Sequence, residues 1–460
     1  MGTAGACYRY VFSFKHGDGS YLMETFYDQK KQTNDVLFIG TSQIFENINT
    51  GILWDEYGMA SFDLSASMQP VWNTYYYLKE AIKTQSPKVI VLDASAASMD
   101  EEYSTDSTII KNTSGIKPSM DKLKAVMVSA PRKDWGKYLV LFPTYHTRYT
   151  ELDADDIPYY WSPEWDGWKG FIPNKQVAVM EKPEGFQTEE TGAITAKSED
   201  YLRKICELCR AESLELVMIK SPGAITKDET MKYNRIGEIA GEYGVPFVNF
   251  NDYYDAMELD FSADMADGVH LNYQGNIKYT RCLADYLKER YEIPDRRGQA
   301  GYESYDVMAA NCRAWLKNAQ VLHTDTADAF FQAIDDPDYI VVYTVSGDYQ
   351  NGPGYSRLAE RLERCGIMLD GLQGSWAWVV KNGEVLYSSG GEANVQWHTE
   401  LAPYRNLEVS LAEGIPVIHF NQQAQERVHS GINAVVYDTV TQSIVDAAGF
   451  TKDMGEQKVQ

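Results

Sequence analysis

The stretch Asp35-Val36-Leu37-Phe38-Ile39-Gly40-Thr41-Ser42 decides the fold predicted for this chain of 460 residues. Its apolar run is typical of a buried strand, Gly40 ends the run, and helix-type sequence follows Ser42. A serine in this place lies outside the carboxyl end of a strand, where parallel sheets bind their ligands. It also lies at a helix N-terminus, which favours developing negative charge. Ser42 is therefore a candidate nucleophile if the chain supplies a base.

The segments that come next predict a parallel sheet covered by helices. The predicted order is a strand at 35–39, a helix or two short turns at 43–57, a strand in FDLSAS (62–67), a helix at 71–84 and a strand in KVIVLDAS (88–95). The alternation resumes after residue 195, with strands in LELVMIKSP and PFVNFND and amphipathic helices beside them. Because β-branched strands alternate with helices, we predict a three-layer α/β/α fold.

The length of the chain predicts more than one domain. The first is expected at 1–318, with an irregular insertion at about 100–195, and PDRRGQAGY (294–302) followed by a helix closes it. The second, at 319–460, alternates strands with tight turns around a lone helix, LAERLERCG. We predict that it is a smaller, β-rich α+β domain.

Composition and charge exclude several classes of function. The net charge of −24 argues against nucleic acid and anionic membranes as partners, because both require a basic face. No run of about 18 apolar residues is present, so no membrane span is predicted. The 32 tyrosines and 10 tryptophans suit either a glycan-binding surface or an aromatic core.

The cysteines and histidines predict neither a disulfide framework nor a metal site. The six cysteines are scattered, and the Cys206-x-x-Cys209 pair lies in an amphipathic helix, where we expect both side chains to be buried. The remaining histidines form no ligand-spaced pair; they are His16, His323, His398, His419 and His429. No metal and no cofactor are predicted.

A candidate base for Ser42 lies in the segment Asp267-Gly-Val-His270, which precedes the last helix of the first domain. A serine needs a base to lose its proton, and histidine is the usual one. The histidine in turn needs a carboxylate that fixes its tautomer. Taken alone, an Asp and a His three residues apart are more typical of a structural loop histidine.

Together, strand-Gly-Thr-Ser and D-x-x-H-L-N-x-x-G resemble the SGNH (GDSL-like) hydrolase superfamily over about 35–290. The G-[ST]-S form is similar to the bacterial branch of D-alanine transfer proteins and alginate-type O-acetyltransferases. The resemblance implies Ser42 as nucleophile, His270 as general base and Asp267 as the acid that orients it. It implies a serine esterase or O-acyltransferase acting on O-acyl groups of a cell-envelope or extracellular glycan.

The chain departs from this family in its second and third motif blocks. The corresponding places read DLSASMQP and VLDASAAS, without the glycine and asparagine that complete the oxyanion hole. Gln69 is our candidate for a second oxyanion donor beside the Ser42 backbone N–H. A missing donor costs roughly 3–4 kcal/mol of transition-state stabilisation. A catalytically degraded scaffold that binds or assembles glycans is therefore the alternative function.

Several polar residues are candidates for contact with the substrate. Tyr145, His146 and Arg148 follow Pro143 in a segment that resembles one of this bacterial branch, and they are equally suited to a structural network. Lys220 ends a strand and could face the site, but we expect it to be a solvated strand-end lysine. Asp93 also ends a strand, where it caps a loop or touches substrate.

The C-terminal segments DYIVVYTVSGD, GSWAWVVKNGEV and GINAVVYDTVTQSIVDAAGF resemble the interleukin-like EMT inducer domain over about 320–450. That resemblance implies a glycan-binding appendage, with a packing or spacer role as the alternative. The first resemblance implies an extracytoplasmic location. Because MGTAGACYRYVFSF contains no signal-peptide core, we expect any signal or membrane anchor to precede this sequence.

Overall fold

A computed structural model describes residues 18–100, 105–140, 167–391, 395–412 and 414–460. The chain divides into two compact units between Cys312 and Arg313. Within the described ranges, no helix has the length and apolar content needed to cross a lipid bilayer.

The first unit is built on a parallel sheet. Its strands are β1 (Val36–Gly40), β2 (Ser61–Ser65), β3 (Val89–Asp93), β4 (Glu215–Lys220) and β5 (Phe247–Asn249). The strand order is β2-β1-β3-β4-β5, so the direction of winding reverses between β1 and β3. In sheets of this kind the crevice at the reversal, outside the carboxyl ends of the strands, is where ligands bind. Ser42 follows β1 and therefore lies at this crevice.

Helices precede, separate and follow these strands along the chain. In chain order they are α1 (Asp18–Tyr27), α2 (Ser42–Asn47), α3 (Thr50–Tyr57), α4 (Val71–Ala81), α5 (Ser95–Ser98), α6 (Asp106–Thr113), α7 (Met120–Ser129), α8 (Trp135–Leu139), α9 (Ala196–Ala211), α10 (Lys227–Glu242), α11 (Gly275–Arg290) and α12 (Glu303–Leu322). Short 3₁₀ turns lie at Arg132–Asp134 and Phe250–Tyr253. The division between the two units falls within α12.

The core explains why the strands have continuous apolar sequences. Every residue of β1, β2 and β3 is buried, as expected for parallel strands covered on both faces. Side chains from α4, α9 and α11, among them Tyr77, Leu202 and Leu283, join the strand residues in one hydrophobic cluster. Cys206 and Cys209 of α9 are buried in that cluster, as predicted. The predicted α/β/α fold class is confirmed.

The segment predicted as one helix or two short turns at 43–57 forms two helices, α2 and α3. The break occurs because Asn49 starts the second helix: its side-chain Oδ1 accepts a hydrogen bond from the backbone N–H of Ile52 at 3.1 Å. Gly58 ends α3 in the left-handed conformation, with φ of +69°. The short α2 therefore carries Ser42 at its first position and Asn47 at its last.

The second unit is β-rich, as predicted, with two antiparallel sheets. Its strands are β6 (Tyr339–Ser346), β7 (Ser375–Lys381), β8 (Glu384–Gly391), β9 (Val395–Ala402), β10 (Arg405–Ala412), β11 (Ile415–Phe420), β12 (Gln423–Ala424), β13 (Gly431–Asp438) and β14 (Ser443–Phe450). One sheet has the order β14-β13-β6-β7-β8 and the other β12-β11-β10-β9.

The second unit contains two helices of its own, α13 (Ala327–Ala333) and α14 (Tyr355–Arg364). The prediction of a lone helix near 358–366 was therefore wrong, because α13 was missed. The sequence ADAFFQA is short, and its buried aromatic residues Phe330 and Phe331 do not show a clear helical period. Both rings pack in the hydrophobic cluster beneath the five-stranded sheet.

Candidate active site

Ser42 is held at the end of β1 by a tight strand-to-helix turn. Thr41 is the N-cap of α2, and its hydroxyl accepts a hydrogen bond from the backbone N–H of Gln43 at 3.3 Å. Ser42 is the first helical residue and is half-buried. A backbone N–H at this position has no acceptor within the helix, so it can donate to a ligand.

The turn requires glycine at position 40, because Asp93 at the end of β3 approaches it closely. Gly40 has a φ of +148°, and a Cβ added there would lie 2.5 Å from the Cβ of Asp93. The fully buried Asp93 carboxylate accepts hydrogen bonds from the backbone N–H of Thr41 at 3.2 Å and from the Thr41 hydroxyl. Of its two predicted uses, Asp93 therefore caps the loop that presents Ser42.

The structure brings Ser42, His270 and Asp267 together. Ser42 Oγ lies 2.7 Å from Nε2 of His270, and Nδ1 of His270 lies 2.7 Å from Oδ2 of Asp267. The second carboxylate oxygen of Asp267 accepts hydrogen bonds from the backbone N–H groups of Val269 and His270, at 2.8 and 2.9 Å. The catalytic roles of the three residues remain predictions, but their geometry is that of a nucleophile, a base and an orienting acid.

The environment of Asp267 keeps it ionised. Partial burial opposes ionisation, but the hydrogen bonds from the His270 ring and from two backbone N–H groups outweigh it and lower the pKa of the Asp267 carboxyl. An ionised Asp267 accepts a hydrogen bond from Nδ1 of His270. Because the ring then carries its proton on Nδ1, Nε2 is the lone-pair acceptor that faces the Ser42 hydroxyl.

The loop that carries Asp267 and His270 is tied to α2 by Asn47. The Asn47 side chain is fully buried; its Oδ1 accepts from the backbone N–H of Leu271 at 2.8 Å and its Nδ2 donates to the carbonyl of Val269 at 3.2 Å. Both bonds bracket His270. The same short helix therefore positions the serine and, through its last residue, the histidine.

A second carboxylate, Glu46, faces the same histidine and was missed in the sequence. Its Oε1 lies 3.8 Å from Nε2 of His270, and its Oε2 accepts a hydrogen bond from Nδ2 of Asn174 at 3.0 Å. Burial raises the pKa of Glu46, whereas attraction to His270 and the bond from Asn174 oppose that rise. The only sequence signal was its position four residues after Ser42, which places both residues on one helix face.

Lys220 at the end of β4 is buried rather than solvated, so that prediction was wrong. Its residue is 2% exposed, and its Nζ donates to Oε1 of Gln43 at 2.8 Å and to the carbonyl of Ser221 at 2.7 Å. Burial lowers the pKa of Lys220 to about 8. The strand end is covered because Gln43, Ser95 and the ring of Tyr233 lie over it.

These contacts fix the side-chain amide of Gln43, the residue after the nucleophile. Its Oε1 accepts from Lys220 and from the hydroxyl of Ser95, at 2.8 and 3.2 Å. A lysine can only donate, so the oxygen must face Lys220 and Nε2 must point the other way. No described residue accepts a hydrogen bond from Nε2. The two N–H groups of this amide, on the residue that follows Ser42, are therefore available to a ligand.

Of the other predicted site residues, the structure describes only Gln69. Gln69 is fully buried: its Oε1 accepts from the Thr74 hydroxyl at 2.9 Å, and its enclosed Nε2 has no hydrogen-bond partner among the described residues. An enclosed amide does not face a substrate, so Gln69 is a poor oxyanion donor. Tyr145, His146 and Arg148 lie outside the described residues.

A groove of 860 Å³ borders the loop that carries the histidine. It is lined by Gly268 and Val269 of that loop and by Ile225 and Thr226. Its charged lining residues are mainly acidic: Glu181, Glu184, Glu229 and one lysine, Lys182. In the part of the chain that the structure describes, no cluster of three histidine, cysteine or acidic side chains is suited to hold a metal ion.

Known proteins add a fold-level similarity. No protein-family model and no curated protein matches the chain. Solved structures, among them those of an acylhydrolase, an esterase and a lipase, match 55% to 60% of the chain. A candidate acylhydrolase of Bacteroides fragilis is 13% identical over 58% of this chain and 94% of its own, with a TM-score of 0.27. An acetyl xylan esterase is 14% identical over 55% of this chain and 98% of its own, with a TM-score of 0.27.

A GDSL-like lipase of Bacteroides thetaiotaomicron gives similar values, with 13% identity over 60% of this chain and 99% of its own and a TM-score of 0.27. Similarities at this level carry no weight for activity. The chemistry open to the site is instead set by the side-chain geometry around Ser42.

Proposed function

We propose that this chain is a serine-dependent esterase or O-acyltransferase of the SGNH type. Its substrates would be O-acyl groups, first of all O-acetyl groups, on a cell-envelope or other extracellular glycan. One observation carries the proposal, namely the continuous chain of 2.7 Å contacts from Ser42 Oγ through the His270 ring to Asp267. A half-buried serine at the carboxyl edge of a parallel sheet has little structural use for such a chain.

In the proposed reaction, the three residues act in the following order. Ser42 Oγ forms a bond to the ester carbonyl carbon while its proton passes to Nε2 of His270. The bond between that carbon and the alcohol oxygen then breaks, and the His270 ring returns the proton to the leaving alcohol. The result is an acyl-serine. Water or a sugar hydroxyl attacks its carbonyl carbon and loses its proton to His270. The bond from that carbon to Ser42 Oγ then breaks, His270 returns the proton to Oγ, and an acid or a new ester is released.

The carbonyl oxygen becomes negative in this step and needs donors. We propose the backbone N–H of Ser42 and Nε2 of Gln43 for this role. Gln43 is suited to it because Lys220 and Ser95 fix its oxygen, so that its amide donors are oriented before substrate arrives. Gln43 would then replace the donors that the family's second and third motif blocks supply.

A glycan substrate is supported by the surroundings of the site. The adjacent groove is large enough for several sugar-sized groups, and its acidic lining disfavours anionic ligands such as phosphate or sulfate esters. Together with the resemblance to bacterial O-acyltransferases, this favours neutral acylated sugars, and an extracytoplasmic location belongs to the same proposal. Fractionation of the native cell, followed by immunodetection in each fraction, tests the location.

The activity is tested by hydrolysis of p-nitrophenyl acetate. The wild-type chain should turn it over, and Ser42→Ala and His270→Ala should each reduce kcat by at least about 1000-fold. Ser262→Ala is the matched control, because this loop serine is exposed and, among the described residues, its hydroxyl bonds only Asp260. Adding an acceptor sugar then separates the two modes: formation of the acetylated sugar identifies a transferase, and acetate alone identifies an esterase.

A degraded scaffold is the second candidate function, and the enclosed amide of Gln69 favours it. In that case Ser42→Ala would leave hydrolysis unchanged while the chain still binds acylated glycans.

For the second unit we propose glycan binding through the turn between β9 and β10, where Tyr404 is 85% exposed. A glycan array with the full chain and with Tyr404→Ser tests this role; equal binding by both would contradict it.

A further inference from the structure

Glu46 lies on the same face of α2 as Ser42, one helical turn later. Its side chain is 17% exposed, so it is half enclosed and still reachable from the site. The bond from Asn174 to Oε2 holds the carboxyl group and turns Oε1 toward His270. Glu46 is thus fixed with one oxygen directed at the reaction centre.

That oxygen has no hydrogen-bond partner among the described residues. The 3.8 Å separation from Nε2 of His270 is too long for a hydrogen bond, and no described lysine or arginine forms an ion pair with Glu46. The neighbouring carboxylates differ in this respect, because both oxygens of Asp267 and of Asp93 accept hydrogen bonds. Oε1 is still open to the site, so it can accept a hydrogen bond from a donor on a bound ligand.

The position of Oε1 indicates which part of a substrate supplies it. In the second half of acylation, Nε2 of His270 returns a proton to the leaving alcohol, so that oxygen must lie within about 3 Å of Nε2. An acceptor 3.8 Å from Nε2 is therefore within reach of polar groups on the leaving alcohol. A hydroxyl on the carbon next to the ester-bearing carbon can reach it.

We propose that Glu46 is a specificity-determining residue that accepts a hydrogen bond from a hydroxyl adjacent to the scissile ester, and so selects esters of polyols such as sugar rings over esters of simple alcohols. This inference rests on the proposed esterase or acyltransferase function. The same contact would serve an incoming sugar acceptor, because attack on the acyl-serine passes through the same geometry in reverse.

Two esters of nearly equal size test the inference: 2-hydroxyethyl acetate and propyl acetate, which carries a methyl group in place of the hydroxyl. The wild-type chain should prefer the hydroxyl ester in kcat/KM by roughly 10- to 100-fold, as expected for a hydrogen bond to a charged group. Glu46→Ala should bring the ratio close to one by lowering only the rate on the hydroxyl ester. Glu46→Gln keeps an uncharged acceptor and should retain part of the preference.

Glu238→Ala is the matched control, because this helical glutamate is about half exposed and pairs with Arg235. It should leave the ratio unchanged. Two outcomes would overturn the inference while Ser42 remains reactive: a wild-type ratio near one, or an equal loss on both esters in Glu46→Ala and Glu46→Gln. If neither ester is turned over and Ser42 does not react with a fluorophosphonate, the proposed function itself fails, and the inference with it.

Discussion

Asn47 accepts a hydrogen bond from the backbone N–H of Leu271 at 2.8 Å. Its amide also donates to the carbonyl of Val269, so the two bonds enclose His270. Because Asn47 ends the helix that Ser42 begins, the distance between nucleophile and base is set by six residues of α2 and one side chain. Ser42 and His270 are 228 residues apart in the chain, but α2 and the Asn47 side chain hold them in contact.

Replacing Asn47 by alanine should lower activity and stability together. The variant leaves the buried N–H of Leu271 and the carbonyl of Val269 without the Asn47 side chain, and the unpaired N–H costs about 1–3 kcal/mol in the free energy of unfolding. Since His270 loses its bracket, kcat/KM should fall roughly 10- to 100-fold. Urea unfolding and p-nitrophenyl acetate kinetics measure the two effects.

Asn433 provides the control for this variant. Its buried amide brackets Arg427 and Val428 in the second unit in the same manner, accepting from both backbone N–H groups and donating to a carbonyl. Asn433→Ala should destabilise the chain without changing kcat/KM. Equal losses of kcat/KM in both variants would show that the hydrogen bonds of Asn47 have no specific role in positioning His270.

Asp267→Asn should impair catalysis while leaving the fold intact. The amide can accept the backbone hydrogen bonds from Val269 and His270, but it no longer stabilises a positive His270 ring. We expect kcat to fall by about 10- to 1000-fold, and the lower end of this range allows for a side chain that is 52% exposed. Stopped-assay kinetics measure kcat, and far-UV circular dichroism checks that the secondary structure is retained. An unchanged kcat would show that Asp267 has no part in the mechanism.

Gln43→Leu tests the proposed oxyanion donor. Loss of one oxyanion donor typically lowers kcat by about 100- to 1000-fold, with a small effect on KM. Gln69→Leu is the matched control: its enclosed Nε2 has no described partner, so kcat should change less than about threefold. A large loss in Gln69→Leu and none in Gln43→Leu would restore Gln69 as the donor.

Lys220 makes stability depend on alkaline pH. Burial lowers its pKa from 10.5 to about 8, so between these values the unfolded chain binds a proton that the folded chain does not. Stability then rises with pH across this window, and below it the whole cost of burying the charge is present. The stability of the wild type relative to Lys220→Met should therefore increase by up to about 3 kcal/mol between about pH 7.5 and pH 10.5.

Urea unfolding at several pH values measures this difference. Lys204→Met is the control: Lys204 is 40% exposed and pairs with Asp200, which raises the pKa of the lysine. Because the pKa of Lys204 is raised, its contribution to the free energy of unfolding stays constant until the pH exceeds 10.5. The stability of the wild type relative to Lys204→Met should therefore not change with pH in the same window. A flat difference for Lys220→Met would contradict its burial as a charged group.

The sequence predicted the parallel sheet and the segments that carry Ser42, Asp267 and His270. Continuous apolar runs indicate buried parallel strands, and a serine after such a strand needs no long-range information to be recognised. The pairing of Ser42 with His270 was reached only through a family resemblance. No local rule relates two residues so far apart in the chain.

The residues that tune the site were not predictable in the same way. Glu46 and Asn47 are ordinary polar residues of a short helix in the sequence, and their roles depend on the loop that folds over them. Lys220 was predicted to be a solvated strand-end residue. The prediction failed because the residues that cover Lys220 come from three segments that are distant in the sequence. Gln69 was placed on the site by motif position alone, and packing turned its amide into the interior.

Reaction with a fluorophosphonate, followed by peptide mapping in a mass spectrometer, tests the central claim most directly. The wild-type chain should carry a single phosphonyl adduct on Ser42, and His270→Ala should slow its formation by at least about 100-fold because the base is lost. The adduct should be absent from Ser42→Ala. No adduct on the wild-type chain, or an adduct on another residue that persists in Ser42→Ala, would contradict the assignment of Ser42 as nucleophile.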